Sequence, residues 1–202
     1  MAVHPRHAPR SPLLSTSHLP AQARGSSDSS HGSGLARFNA LSPEAARAAL
    51  MHCCGSLRWA HRVAAHRPYP DSGALLAAAD EASYDLSQSD LSEALAAEFS
   101  VELAHGAPYA ALLALDAAHA EYERKFGHAF VICLDGHPPE EQADQLLAAI
   151  RRRMGHEVDE ERSISADELR RVAQARLLDL TRWLTSANGP SAPEIGLFAP
   201  VG

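Results

Sequence analysis

Glu121-Tyr-Glu-Arg-Lys-Phe-Gly127-His-Ala-Phe-Val-Ile-Cys-Leu-Asp-Gly136 is the stretch in which a helical pattern meets something else. The spacing is helical up to Phe126. Gly127 then stops the helix, an apolar run with β-branched residues follows over 128–134, and Asp135-Gly136 turns the chain. Such a break presents backbone N–H and C=O groups that no helix satisfies, and a ligand is one way of satisfying them. On both sides apolar residues recur at the helical period. The segment is therefore a short extended interruption near 128–134 in an all-α protein.

Upstream, Ser42-Pro43-Glu44 reads as N-cap, first-turn proline and first-turn acid of a helix running to about Cys53. Gly55-Ser56 ends it and caps a helix whose stripe is Leu57, Ala60, Val63 and Ala64, with Trp59 at the stripe's edge; Pro68 and Pro70 stop it. Asp71-Ser72 caps a third helix, Ser89-Asp90 starts a fourth, and a long one runs from about Tyr109 to Lys125. Beyond the break, Pro138-Pro139-Glu140 opens a helix to about Arg153. The last begins at Val158 or Ser165 and ends near Leu184. These spacings predict a compact bundle of about seven or eight helices. The ordered domain is expected over residues 35–185. The Ser/Pro/His-rich residues 1–34 read as a disordered extension and residues 186–202 as a flexible tail.

Composition narrows the function. The formal charge is −7 and Lys125 is the only lysine, which argues against non-specific nucleic-acid binding. No apolar run approaches the length of a membrane span, so no membrane partner is expected. Cys53, Cys54 and Cys133 fit no disulfide or zinc spacing and are expected as reduced, buried thiols in a cytoplasmic protein. The Glu157 to Glu161 run reads as a solvated helix start, and Arg151-Arg152-Arg153 as a charged last turn. Arg176 lies on an inward stripe. A guanidinium there should meet an acid or bind an anion, because leaving it unpaired costs several kcal/mol.

Several segments together resemble the 2-oxo-4-hydroxy-4-carboxy-5-ureidoimidazoline decarboxylases of urate breakdown. They are Phe38-Asn39-Ala40-Leu41, Cys54-Gly55-Ser56 with Trp59-Ala60, Arg67-Pro68-Tyr69, Asp90-Leu91-Ser92-Glu93-Ala94-Leu95, Tyr122 to Ile132, Arg151 to Met154, and Glu168-Leu169 through Arg176-Leu177. They occur in the family's order, and the tract from Lys125 to Ile132 is the most specific. The resemblance implies an all-helical homodimeric lyase needing no metal or organic cofactor. It implies removal of carbon dioxide from a small ureidoimidazoline substrate to give (S)-allantoin in purine catabolism.

The resemblance also implies site residues. The central stretch, Phe130, Val131, Ile132 and Cys133, would face the substrate through its backbone, and Arg176 matches a family arginine near the site. The family follows its Glu-Ala-Leu helix with a His-Pro pair that carries the catalytic base; here Glu98-Phe99 stands there. Glu98 would then be the catalytic substitute, with Phe99 beside it at the substrate. The family's Ser and Glu-Gln elements have no counterpart between Ser100 and Tyr109, and Glu141-Gln142 lies in a different helix. His105, His119 and His128 are further imidazoles near these segments. A non-catalytic family member, a scaffold or small-molecule binder, is the alternative. Glu98 at a helix end reads by default as a solvated acid, singled out only by the resemblance, and Arg176 reads equally as half of a structural salt bridge.

Overall fold

The computed structural model describes residues 28–100 and 109–186. These form eight helices: α1 (Asp28–Ala40), α2 (Pro43–Cys53), α3 (Leu57–Ala65), α4 (Ser72–Tyr84), α5 (Gln88–Ala96), α6 (Tyr109–Phe126), α7 (Pro139–Arg153) and α8 (Val158–Thr185). The described residues contain no strand, so the fold is all-α, with residues 129–134 non-helical between α6 and α7. The parts of the expected extension at 1–27 and tail at 187–202, together with His105, lie outside the described residues.

The caps explain why the sequence breaks where it does. The hydroxyls of Ser42 and Ser56 and the carboxylate of Asp71 accept hydrogen bonds from the backbone N–H groups of Ala45, Trp59 and Ala74. The fourth expected start, at Ser89-Asp90, shifts back by two residues. Ser87 is the N-cap, and Asp90 closes a capping box by accepting the Ser87 N–H at 2.9 Å. Gly127 ends α6 at φ 78°, a conformation that a Cβ would strain.

The 28 residues of α8 make it about 42 Å long. It packs against α1, α2 and α4, which with α3 enclose Phe38, Leu50, Trp59, Leu75, Leu95 and Leu177. Trp59 is not at an edge: it is fully buried, and its indole N–H donates to Ala79 O and Ser83 Oγ. The second cluster, Leu115, Tyr122, Phe126, Phe130, Leu146 and Ile150, joins α6 to α7. Two motifs that carried the resemblance clasp each other: the Asn39 side chain exchanges two hydrogen bonds with the Tyr69 backbone, and Arg67 donates to the carbonyls of Phe38 and Leu41.

The expectation for the acidic run fails at Glu161, and that for the arginine triplet at Arg153. Both are buried, Glu161 completely and Arg153 to 3% exposure. Arg153 Nε donates to Glu161 Oε1 at 2.7 Å, Nη2 to Ser165 Oγ at 2.9 Å and Nη1 to Val131 O at 2.7 Å. Tyr122 donates its hydroxyl to Glu161, and His156 Nδ1 lies 2.8 Å from the other Glu161 oxygen. The Arg153 guanidinium also stands 4.4 Å from the Phe130 ring centroid. Helical periodicity places both residues inward; their charge type suggested the opposite. Pairing is what makes their burial tolerable.

Burial alone would push the Glu161 carboxyl up, but hydrogen bonds from Arg153, Tyr122 and His156 outweigh it and hold the group below its ordinary value. A depressed folded-state value contributes stability above the unfolded carboxyl range, near 4.3, that is lost as pH falls through the folded value. We expect urea stability to decline below about pH 4.3, and Glu161→Gln to flatten that decline. At pH 7, Arg153→Ala should cost about 3–5 kcal/mol by urea denaturation, because it strands a buried carboxylate.

Candidate active site

The end of α5 sits against the α2–α3 turn because Gly55 has no side chain. A Cβ there would lie 2.3 Å from the Ala97 Cβ. This close approach delivers Glu98, the second residue past α5, to the flank of α8. A carboxylate at a helix C-terminus opposes the helix dipole, so it needs a cation. Arg176 supplies it: Nη1 donates to Glu98 Oε1 at 2.7 Å and Nη2 to Oε2 at 2.8 Å, a two-pronged match of planar groups.

The pair borders a cleft of about 390 Å³ between the end of α2, the end of α5 and α8. Ala49, Met51, His52, Cys53 and Gly55 form one side, Ala97, Glu98 and Phe99 another, and Arg176, Asp179 and Leu180 the third. Glu98 is nearly enclosed, its side chain 5% exposed, whereas the Arg176 side chain is 40% exposed. Arg176 Nη1 also reaches Cys53 O at 3.4 Å, at the end of α2. Burial acts to weaken the Arg176 charge, but the Glu98 hydrogen bonds and attraction exceed it and raise its value. The two vicinal cysteines are thiols, not nucleophiles: burial pushes Cys53 up to about 12 and Cys54 up to about 11.

The structure therefore brings together three of the residues singled out from sequence, Glu98, Arg176 and Phe99. Phe130, Val131, Ile132 and Cys133 are not among the residues lining this cleft. Phe130 and Val131 are buried in the two core clusters, Ile132 packs on the second, and the Cys133 N–H donates to Glu168 Oε2 at 2.9 Å. Arg153 and Glu168 thus satisfy two of the backbone groups that the break exposes. His119 is buried against Phe130 with no hydrogen-bond partner for Nε2 among the described residues, and burial lowers its pKa. His128 Nδ1 contacts Ala129 O. His52, Met51 and Asp179 were missed by sequence reading. Nothing local distinguishes them; they reach the cleft because α2 and α8 pack together.

A larger, shallower depression of about 530 Å³ lies between Arg47, Arg58, His61, Arg62, Asp90 and Glu93. Its charges are largely committed elsewhere: Asp90 to the α5 cap, Glu93 to the Leu57 N–H and Arg62 to Asp85. Among the described residues no cluster of three metal-ligating side chains occurs.

A family model described as OHCU decarboxylase matches residues 39–101 and 100–178, which includes both Glu98 and Arg176. The match divides at Ser100-Val101. One similar solved structure is an OHCU decarboxylase crystallised in the presence of (S)-allantoin. It has a TM-score of 0.57 and 23% identity, and the alignment covers 65% of this chain and 95% of that one. Another is an (S)-allantoin synthase, with a TM-score of 0.56, 17% identity, and coverage of 72% of this chain and 53% of that one. At these identities the structural likeness is one of fold. Among curated proteins no sequence matches.

Gly55→Ala tests the close approach that positions Glu98. It should lower stability by about 1–3 kcal/mol, the cost of overpacking, measured by thermal or urea denaturation.

Proposed function

This chain belongs to the OHCU decarboxylase family, and we propose that it converts 2-oxo-4-hydroxy-4-carboxy-5-ureidoimidazoline to (S)-allantoin in the cleft between α2, α5 and α8. The observation that carries the reading is the two-pronged Glu98–Arg176 pair at that cleft. It puts a fixed cation and a fixed acceptor side by side, inside the region that the family model matches.

The chemistry needs little more than orientation and proton movement. Carbon dioxide leaves the hydroxyl-bearing ring carbon, and the bond pair moves toward the neighbouring ring C=N, whose nitrogen takes a proton. The resulting enol then gains a proton on the ureido-bearing carbon and loses its hydroxyl proton. Each turnover consumes one proton and releases one carbon dioxide, and the face protonated sets the product's handedness. Arg176, held charged by Glu98, orients the anionic substrate and stabilises the developing negative charge. Glu98 accepts a hydrogen bond from the ring hydroxyl, and Phe99, 86% exposed, offers an apolar wall at the mouth. No step calls for a metal or organic cofactor.

We further propose a cytoplasmic homodimer. The free thiols of Cys53 and Cys54 suit a reducing compartment, and Tyr109, Leu112 and Leu113 expose apolar surface at the start of α6.

Freshly generated substrate mixed with the pure protein should yield an excess of (S)-allantoin, followed by circular dichroism. Arg176→Ala and Glu98→Gln should each lower kcat about 100-fold. Racemic product at the spontaneous rate would overturn the reading. A second reading, a ligand-binding protein without turnover, draws on the same pair, since Glu98 and Arg176 already satisfy each other. A thermal shift with allantoin in the absence of turnover would favour it.

A further inference from the structure

Much of the cleft wall is apolar: Ala49, Met51, Ala97, Phe99 and Leu180. Polar groups of a ligand that lose water against such walls must find partners within the cleft. The substrate of the proposed reaction is polar at two ends. One ring carbon bears the carboxylate and the hydroxyl, and its neighbour bears a ureido group rich in N–H donors. The Glu98–Arg176 pair meets the first end. Both Glu98 oxygens and Cys53 O already take hydrogen bonds from Arg176. The ureido N–H groups need an acceptor of their own.

Asp179 is the second carboxylate lining the cleft. It follows Arg176 by three residues on α8, so the two side chains leave one face of the helix with Cβ atoms roughly 5–6 Å apart. That spacing suits a ligand carrying a carboxylate and a ureido group on adjacent ring carbons. Burial is the chief reason the Cys53 thiol is pushed up, and the Asp179 charge adds to it, so the field of this carboxylate extends into the cleft. Arg182 donates to Asp179 Oδ1, but that pair lies at the surface, with side chains 57% and 62% exposed. An exposed pair of this spacing holds its members weakly, and a ligand can share the carboxylate.

We infer that Asp179 recognises the ureido group, accepting its N–H donors at the rim of the cleft while Arg176 holds the carboxylate. The inference rests on the decarboxylase reading of the cleft. Two anchors one helical turn apart fix the orientation of the ring, whereas Arg176 alone would let it pivot. A fixed ring presents one face of the ureido-bearing carbon to the incoming proton, and that face sets the handedness of the product. Asp179 moves no proton; its contribution is binding and orientation.

The test compares two stable probes on the full chain by titration calorimetry: allantoin, which carries the ureido group, and hydantoin, the same ring without it. The parent protein should bind allantoin about tenfold more tightly, and Asp179→Ala should remove that preference by weakening allantoin alone. With fresh substrate, Asp179→Ala should raise KM about tenfold, change kcat less than about threefold and lower the enantiomeric excess. Its melting temperature should stay in place, because the side chain is exposed. Asp179→Asn, which keeps an amide oxygen as acceptor, should retain part of the preference, and Arg182→Ala should retain all of it. Equal binding of the two probes by the parent protein would overturn the role of Asp179 and leave the decarboxylase reading standing. So would an Asp179→Ala variant that keeps both the preference and the parent KM, or an Arg182→Ala variant that loses the preference as fully. Racemic product at the spontaneous rate, with the preference present in the parent and lost in Asp179→Ala, would overturn the decarboxylase reading alone.

Discussion

The buried contact between Arg153 and Glu161 is the constraint around which the second half of the molecule is arranged. Two full charges out of water are tolerated only when their remaining donors and acceptors are met. Here Val131 O and Ser165 meet the arginine, while Tyr122 and His156 meet the carboxylate. Those partners come from α6, the non-helical segment, the α7–α8 turn and α8. Moving any one of them leaves a buried charge with an unmet donor or acceptor, so the network ties these four pieces of chain to α7, which carries Arg153. Lys125 closes the same corner by donating to the carbonyls of Met154 and His156.

The same helix carries a second ion pair of different character. Arg176 follows Glu161 by fifteen residues, about 22 Å along α8. The Glu161 end is sealed and fully satisfied, whereas the Glu98–Arg176 pair opens to a cleft, with the arginine side chain 40% exposed. Sealed pairs specify a fold; open ones can exchange a partner for a ligand. That contrast distinguishes the structural cluster from the candidate site. The sealed pair also meets the central stretch, because Arg153 donates to Val131 O.

What could be read from the chain divides along sequence separation. Caps act over three residues, so Ser42, Ser56 and Asp71 marked helix starts directly. Gly127 marked a helix end because only a residue without a Cβ takes φ 78° without strain. The apolar period located the inward faces, although Trp59 sat deeper than its stripe suggested. The Ser89-Asp90 start missed by two residues because Asp90 works as the third residue of a capping box and not as the cap. Reading Arg153 and Glu161 as solvated followed charge over periodicity, and periodicity was the better guide.

The family motifs and the all-helical architecture were already present in the linear chain, since both rest on local spacing and residue order. They also marked Glu98 and Arg176 as residues of interest. That the two meet, 78 positions apart, was settled by packing: α5 ends against Gly55, α2 lies on α8, and the carboxylate is carried to the guanidinium. His52 entered the same cleft by that route. No local pattern encodes such meetings, because they depend on how several helices stack at once and on which charges each arrangement leaves buried without a partner.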